Sequence, residues 1–171
     1  LNSPLFGFDG EIASVRHALG LLGDWEIRQW LLVAVAAAMG EDKPAELVVW
    51  ALTRARFCEA LAENGRRLEG AFLMGMLSAF PALLEVPLDT ILERLPVAPE
   101  IKAALRGEPG AHYDILALMT AYEAGDWQSC GLRATACGFS EHTLASCYLK
   151  AVSWANEVTV RHDLPVRMLP S

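Results

Sequence analysis

Leu73-Met74-Gly75-Met76-Leu77-Ser78-Ala79-Phe80 is the stretch on which the reading of the fold turns. It lies inside an uncharged run from Gly70 to Leu84, closed by Glu69 on one side and Glu85 on the other. A bilayer-spanning helix needs about 20 apolar residues, and this run falls short and is expected to break at Pro81. Apolar side chains on almost every helical face point to a buried central helix, from about Leu68 to Phe80, of a soluble helical domain. Gly75 in its middle costs roughly 1 kcal/mol against alanine, and close approach by another helix is the expected reason for it. Ser78 and Ala79 offer the deepest turn only a hydroxyl and a methyl group. No titratable group or metal ligand stands there.

Working outward, 171 residues are most simply one domain, large enough to bury a core without disulfides. A hydrophobic content of 53% with 20% charged residues excludes a disordered chain. The formal net charge of −7 argues against nucleic acid and anionic membrane as partners, because such contacts rest on clustered Lys and Arg. The small basic spot Arg66-Arg67 does not reverse that balance. Cys58, Cys130, Cys137 and Cys147 show no C-x-x-C spacing and read as reduced, mostly buried thiols of a cytoplasmic protein. Cys130 and Cys137 share a helix face but lie two turns apart, out of bonding reach. No basic-then-apolar signal sequence is present. Because the chain begins at Leu1 without Met, it is expected to be part of a longer one.

Period-two alternation is absent, so the expected class is all-α. Ser14 to Leu22 carries an apolar stripe, and Trp25 to Met39 forms a second helix ending at Gly40. Asp42-Lys43-Pro44 opens a third, reaching about Glu63, with Asn64-Gly65 as its terminator. On that helix Trp50, Arg54, Phe57 and Leu61 form one row, which sets a cation among aromatics. Glu63 and Arg67 stand in i,i+4 order should the helix run that far. Pro87 to Leu95 and Pro99 to Arg106 are short helices with Pro in the first turn. His112 to Ala124, Asp126 to Cys137 and Ser140 to about Val158 complete the set. Gly23-Asp24-Trp25 recurs as Gly125-Asp126-Trp127, a helix corner in which glycine takes the left-handed position and aspartate caps the next helix.

The opening Leu1-Asn2-Ser3-Pro4-Leu5-Phe6-Gly7, then Ile12 to Leu19 and Leu21-Leu22-Gly23, resembles the HDOD domain, the HD-related output domain of bacterial signalling proteins. Arg54-Ala55-Arg56-Phe57-Cys58-Glu59, Ala71-Phe72-Leu73-Met74-Gly75, Tyr148-Leu149-Lys150-Ala151 and Trp154-Ala155 extend the likeness. It is nearest the modules that follow an EAL-type, cyclic di-GMP phosphodiesterase-like domain. The resemblance implies a compact multi-helix bundle of the HD/HDOD type over residues 1–160, N-terminally truncated because the family's first helices are missing, and an extended tail over 161–171. In the wider HD hydrolase family a His-Asp pair on the central helix ligates metal. Set against that pattern, the pair falls on Ser78-Ala79 and the earlier His at or near Trp50. Hydroxyl, methyl and indole cannot hold a divalent cation. The resemblance therefore implies vestigial HD positions at Ser78 and Ala79, with no metal and no cofactor.

Other candidates have ordinary readings. His162-Asp163 is a literal His-Asp pair, but it lies in a Pro-containing tail with no neighbouring ligands. His17, His112 and His142 lack a second ligand at helical spacing. Cys58 beside Glu59 reads as an inert core thiol, and no G-x-S-x-G or phosphate loop is present. Arg54 has two readings. It is either stacked on Trp50 or Phe57 and paired with a carboxylate, or an anion or partner-domain contact shared with Trp50.

The expected function is a non-catalytic regulatory output module in cyclic di-GMP-related signalling. It would dock on an adjacent EAL-like domain, another protein or a second copy of itself, with neither nucleic acid nor membrane as partner. The alternatives are a diverged HD-type metal-dependent phosphohydrolase and a nucleotide-sensing domain.

Overall fold

Between Ala51 and Ala62 nearly every residue of the helix Ala45–Asn64 (α1) is buried, with Ala51, Leu52, Ala55, Phe57, Cys58 and Leu61 fully so. A helix covered on all sides needs neighbours on all sides. α1 accordingly packs against α2 (Ala71–Leu84), α5 (Ala111–Glu123) and α7 (Glu141–Arg161). The computed structural model describes residues 45–65, 67–95 and 97–161. Outside the described residues lie the Leu1 to Gly23 motifs, His17, the Gly23-Asp24-Trp25 corner, the Trp25 to Met39 helix, Asp42-Lys43-Pro44, Arg66 and the tail with His162-Asp163. Among the described residues there are seven helices and no strand. The fold is all-α.

The remaining helices are α3 (Leu88–Arg94), α4 (Pro99–Leu105) and α6 (Trp127–Cys137). Prolines open the two short ones as expected, Pro87 as the residue before α3 and Pro99 inside the first turn of α4. The corner between α5 and α6 uses the glycine–aspartate chemistry read from the sequence. Gly125 sits at φ +67°, and the Asp126 side chain accepts a hydrogen bond of 3.0 Å from the Ser129 amide.

α2 is central, as its composition demands: Met74, Met76, Leu77 and Ala79 are fully buried. Two details differ from the sequence expectation. The helix starts at Ala71 rather than near Leu68, after Gly70 in the left-handed region. It also runs through Pro81 to Leu84. Proline removes one intrahelical hydrogen bond. Leu83, in the turn beyond it, is 1% exposed, and burying a leucine is worth about 1.5–3 kcal/mol, which offsets much of the proline's cost of about 3 kcal/mol. The core is also shared more evenly than one central helix suggests, because α1 packs against α2, α5 and α7 while α2 packs against α1, α3, α4 and α5.

Gly75 has the role its position implied. A Cβ there would lie 2.5 Å from the Arg54 carbonyl oxygen and 2.8 Å from the Ala55 Cα, so α1 and α2 cross backbone to backbone at this point. The proposed Glu63–Arg67 pair does not form. α1 ends at Asn64, Arg67 turns to φ +46°, and Glu63 instead lies 3.4 Å from Arg56.

Candidate functional site

The α1–α2 crossing brings together three of the four residues singled out in the sequence. Trp50 and Arg54 are one turn apart on α1, and the guanidinium lies over the indole at 4.8 Å from its centroid. Arg54 Nε donates to Ser78 Oγ at 3.0 Å. The Ser78 hydroxyl in turn donates to the Gly75 carbonyl, an i−3 back-bond at the crossing itself. Ala79, the fourth, is fully buried as packing. Of the two readings of Arg54, the stacked and paired one describes its resting contacts.

Its counter-charge comes from a residue that sequence reasoning missed. Arg54 Nη1 donates to Glu123 Oε2 at 2.7 Å, with the two side chains only 11% and 15% exposed. Glu123 is the last residue of α5, where the helix dipole is negative and a carboxylate is unfavourable. An acid in that position implies a partner from elsewhere in the fold. That was the signal available in the sequence, although it names no partner. Burial, the larger effect, pushes the Glu123 carboxyl above its ordinary value of 4.5, and the Arg54 charge pulls the other way.

A folded-state pKa above the unfolded value means that the native protein binds the extra proton. Stability should therefore fall as pH rises from about 4.5 through the raised value. Glu123→Gln should remove this slope, because glutamine does not titrate. Urea titrations of both proteins at several pH values check it: the wild-type curve should decline relative to the variant, and parallel curves would contradict the assignment.

Cys58 lies one turn beyond Arg54, fully buried, with its Sγ 3.4 Å from Met119 Sδ. Burial pushes its thiol up to about 12, Arg54 lowering and Glu123 raising it in smaller measure. The thiolate is the nucleophile, so this cysteine is inert in the folded state. Iodoacetamide at pH 8 should leave Cys58 unmodified by peptide mass mapping until denaturant is added.

The residues at the α1–α2 crossing do not fit a divalent cation. The only side-chain oxygen Ser78 offers is already engaged twice, the Ala79 side chain offers none, and the Arg54 guanidinium would repel the ion. Among the described residues no group of three or more His, Cys, Asp or Glu is placed to hold a metal. His112 Nε2 lies 2.9 Å from the Glu69 carbonyl oxygen, an ordinary loop contact. A recess of about 690 Å³ at the α1–α2 corner is separate from the Arg54 network and lined by Glu59, Glu63, Arg67 and Glu69, among others.

A chain of rings runs from the core to the surface. Phe57 meets Tyr122 and Tyr148 edge-on at 5.4 and 5.3 Å, and Tyr122 meets the exposed Trp127 at 5.6 Å. The helical fold and its cross-helix ion pair on an aromatic platform define an all-α module. No helix among the described residues is long and apolar enough to cross a membrane.

The HDOD domain model matches residues 1–86, half of the chain, and includes Trp50, Arg54, Ser78 and Ala79 but not Glu123. The chain belongs to the HDOD family. It is 33% identical over 150 residues to the cyclic di-GMP phosphodiesterase CdgJ of Vibrio cholerae, covering 86% of this chain and 35% of that protein. It is 29% identical over 163 residues to the uncharacterized protein YuxH of Bacillus subtilis, covering 92% of this chain and 39% of that one. The chain thus spans little more than a third of the length of these curated relatives. No solved structure gives a significant match.

Proposed function

We propose that this chain is a non-catalytic output module of cyclic di-GMP-related signalling that works by contact with another protein domain. The observation that carries the reading is the chemistry at the α1–α2 crossing. The positions that the HD resemblance assigns to a metal-binding pair hold Ser78 and Ala79, and an arginine occupies the space beside them. A hydrolytic site of that kind needs several nitrogen and oxygen ligands converging on one point. Here a hydroxyl, a methyl and a cation converge.

Kinship supports the signalling context. CdgJ is named a cyclic di-GMP phosphodiesterase, and the matched part is about a third of it. On this reading the phosphodiesterase chemistry of such proteins resides in an EAL-like domain, and the helical module docks on that domain or on a second copy of itself.

Hydrolysis assays test this. Purified chain incubated with cyclic di-GMP and with nucleotide phosphodiesters, in the presence of Mn²⁺, Mg²⁺ or Fe²⁺, is expected to give no turnover above buffer. Metal-dependent hydrolysis that is lost on substituting Ser78 would overturn the proposal.

A further inference from the structure

We propose that Arg54 is the recognition group of an oxyanion site, and that Glu123 occupies this site in the resting fold as an internal substitute for the ligand. The inference goes beyond the contact-module reading, because it concerns a small anionic group rather than a docking domain.

The first support is how Arg54 is held. Nε is fixed by Ser78 and the guanidinium plane by Trp50, so the fork keeps its direction without Glu123. Such preorganisation is what carboxylate and phosphate recognition by arginine requires. The second is how little of the fork Glu123 uses. The structure gives one contact, Nη1 to Oε2, where an arginine–carboxylate pair can make two parallel bonds. Among the described residues Nη2 has no acceptor. The third is the state of Glu123, an acid at the negative end of α5. Its ionised form is held by Arg54 against both the helix dipole and its own burial. The fourth is access: side-chain exposures of 11% and 15% leave the pair in contact with solvent. An incoming oxyanion can displace Glu123, keep the Nη1 bond and add one to Nη2.

An internal competitor lowers apparent affinity by the fraction of time the site stands open. Glu123→Gln replaces the carboxylate by a neutral, weaker acceptor of the same shape. If Glu123 fills the site 90–99% of the time, the variant should bind an oxyanion about 10–100-fold more tightly than the wild type.

The test is titration of inorganic phosphate, and separately of acetate, into wild type, E123Q and R54Q/E123Q at constant ionic strength maintained with chloride. Binding is read from the Arg54 Nε–H resonance and from the melting temperature. The expected result is saturable binding to E123Q, at least tenfold weaker binding to the wild type, and none to the double variant. Preference for phosphate would identify a phosphate-bearing ligand, and preference for acetate a carboxylate group. Absence of saturable binding to E123Q by either anion, or equal affinity in E123Q and wild type, would overturn the proposal. Should E123Q not fold, movement of the wild-type Nε–H resonance with phosphate but not with chloride decides the matter in the same way. Hydrolytic activity does not enter this readout, so its outcome is separate from that of the contact-module reading.

Discussion

Gly75→Ala is expected to destabilise the protein by about 3 kcal/mol, the upper end of the usual overpacking cost, although alanine is the better helix former by about 1 kcal/mol. The two effects oppose each other, and their sizes decide the outcome. The added methyl would sit 2.5 Å from one backbone atom of α1 and 2.8 Å from another, and backbone cannot step aside as a flexible side chain can. α1 and α2 must separate. That strains the Ser78 back-bond to Gly75 and the Arg54–Ser78 hydrogen bond together, since all three residues meet at the crossing. In a chain of this size a loss of about 3 kcal/mol lowers the melting temperature by roughly 6–12 °C. Calorimetry on the purified variant checks it. An unchanged or raised melting temperature would show that helix propensity prevails and that the crossing is looser than described.

The second large effect concerns Arg54. Arg54→Ala should cost about 3 kcal/mol, near the lower end for breaking a buried pair, because the partners keep some solvent contact. The loss comes chiefly from the Glu123 carboxylate left without a counter-charge in a largely buried position, with the packing on Trp50 added to it. Glu123→Gln should stay within about 1 kcal/mol of the wild type, because its amide oxygen still accepts from Arg54 and the burial cost of the charge is gone. A double-mutant cycle with Arg54→Ala and Glu123→Ala should show coupling of about 1.5–3 kcal/mol, as residues sharing one network do. Additive losses would mean that the pair is incidental.

The asymmetry between those substitutions says what the ion pair is for. Removing two charges from water costs about as much as their attraction returns, so such a pair is a poor source of net stability. What it provides is register. It fixes the end of α5 against the middle of α1, while Ser78 and Trp50 set the direction of the guanidinium. Trp127 follows four residues after Glu123 and is 67% exposed. The same corner therefore presents both a polar network and an aromatic surface.

Much of the fold is legible in the residues themselves. The uncharged run of α2, the proline-opened short helices and the Gly125-Asp126 corner are local signals, and local physics fixes them. Where the structure departs from the sequence expectation, tertiary contacts outweigh local signals. Pro81 stops a helix in isolation, but not one whose next turn buries Leu83. Glu63 and Arg67 are spaced to pair on a helix, yet α1 ends between them. For the site, Arg54 and Trp50 stand out as an arginine in an aromatic row, whereas Ser78 is marked by the HD resemblance. Glu123 could not be connected to them. It is 69 residues from Arg54, and no spacing rule reaches across the three helices between them. Its unfavourable position at a helix C-terminus marked it as needing a partner without naming which.

The claim on which the account rests is that the α1–α2 crossing is filled by protein groups in a way that leaves no place for a metal ion. Elemental analysis of the purified chain, after incubation with Mn²⁺, Fe²⁺ and Zn²⁺ and gel filtration, tests it most directly. The predicted result is metal well below one equivalent, the same in wild type and in Ser78→Ala. One equivalent of metal in the wild type, absent from the Ser78→Ala protein, would contradict it.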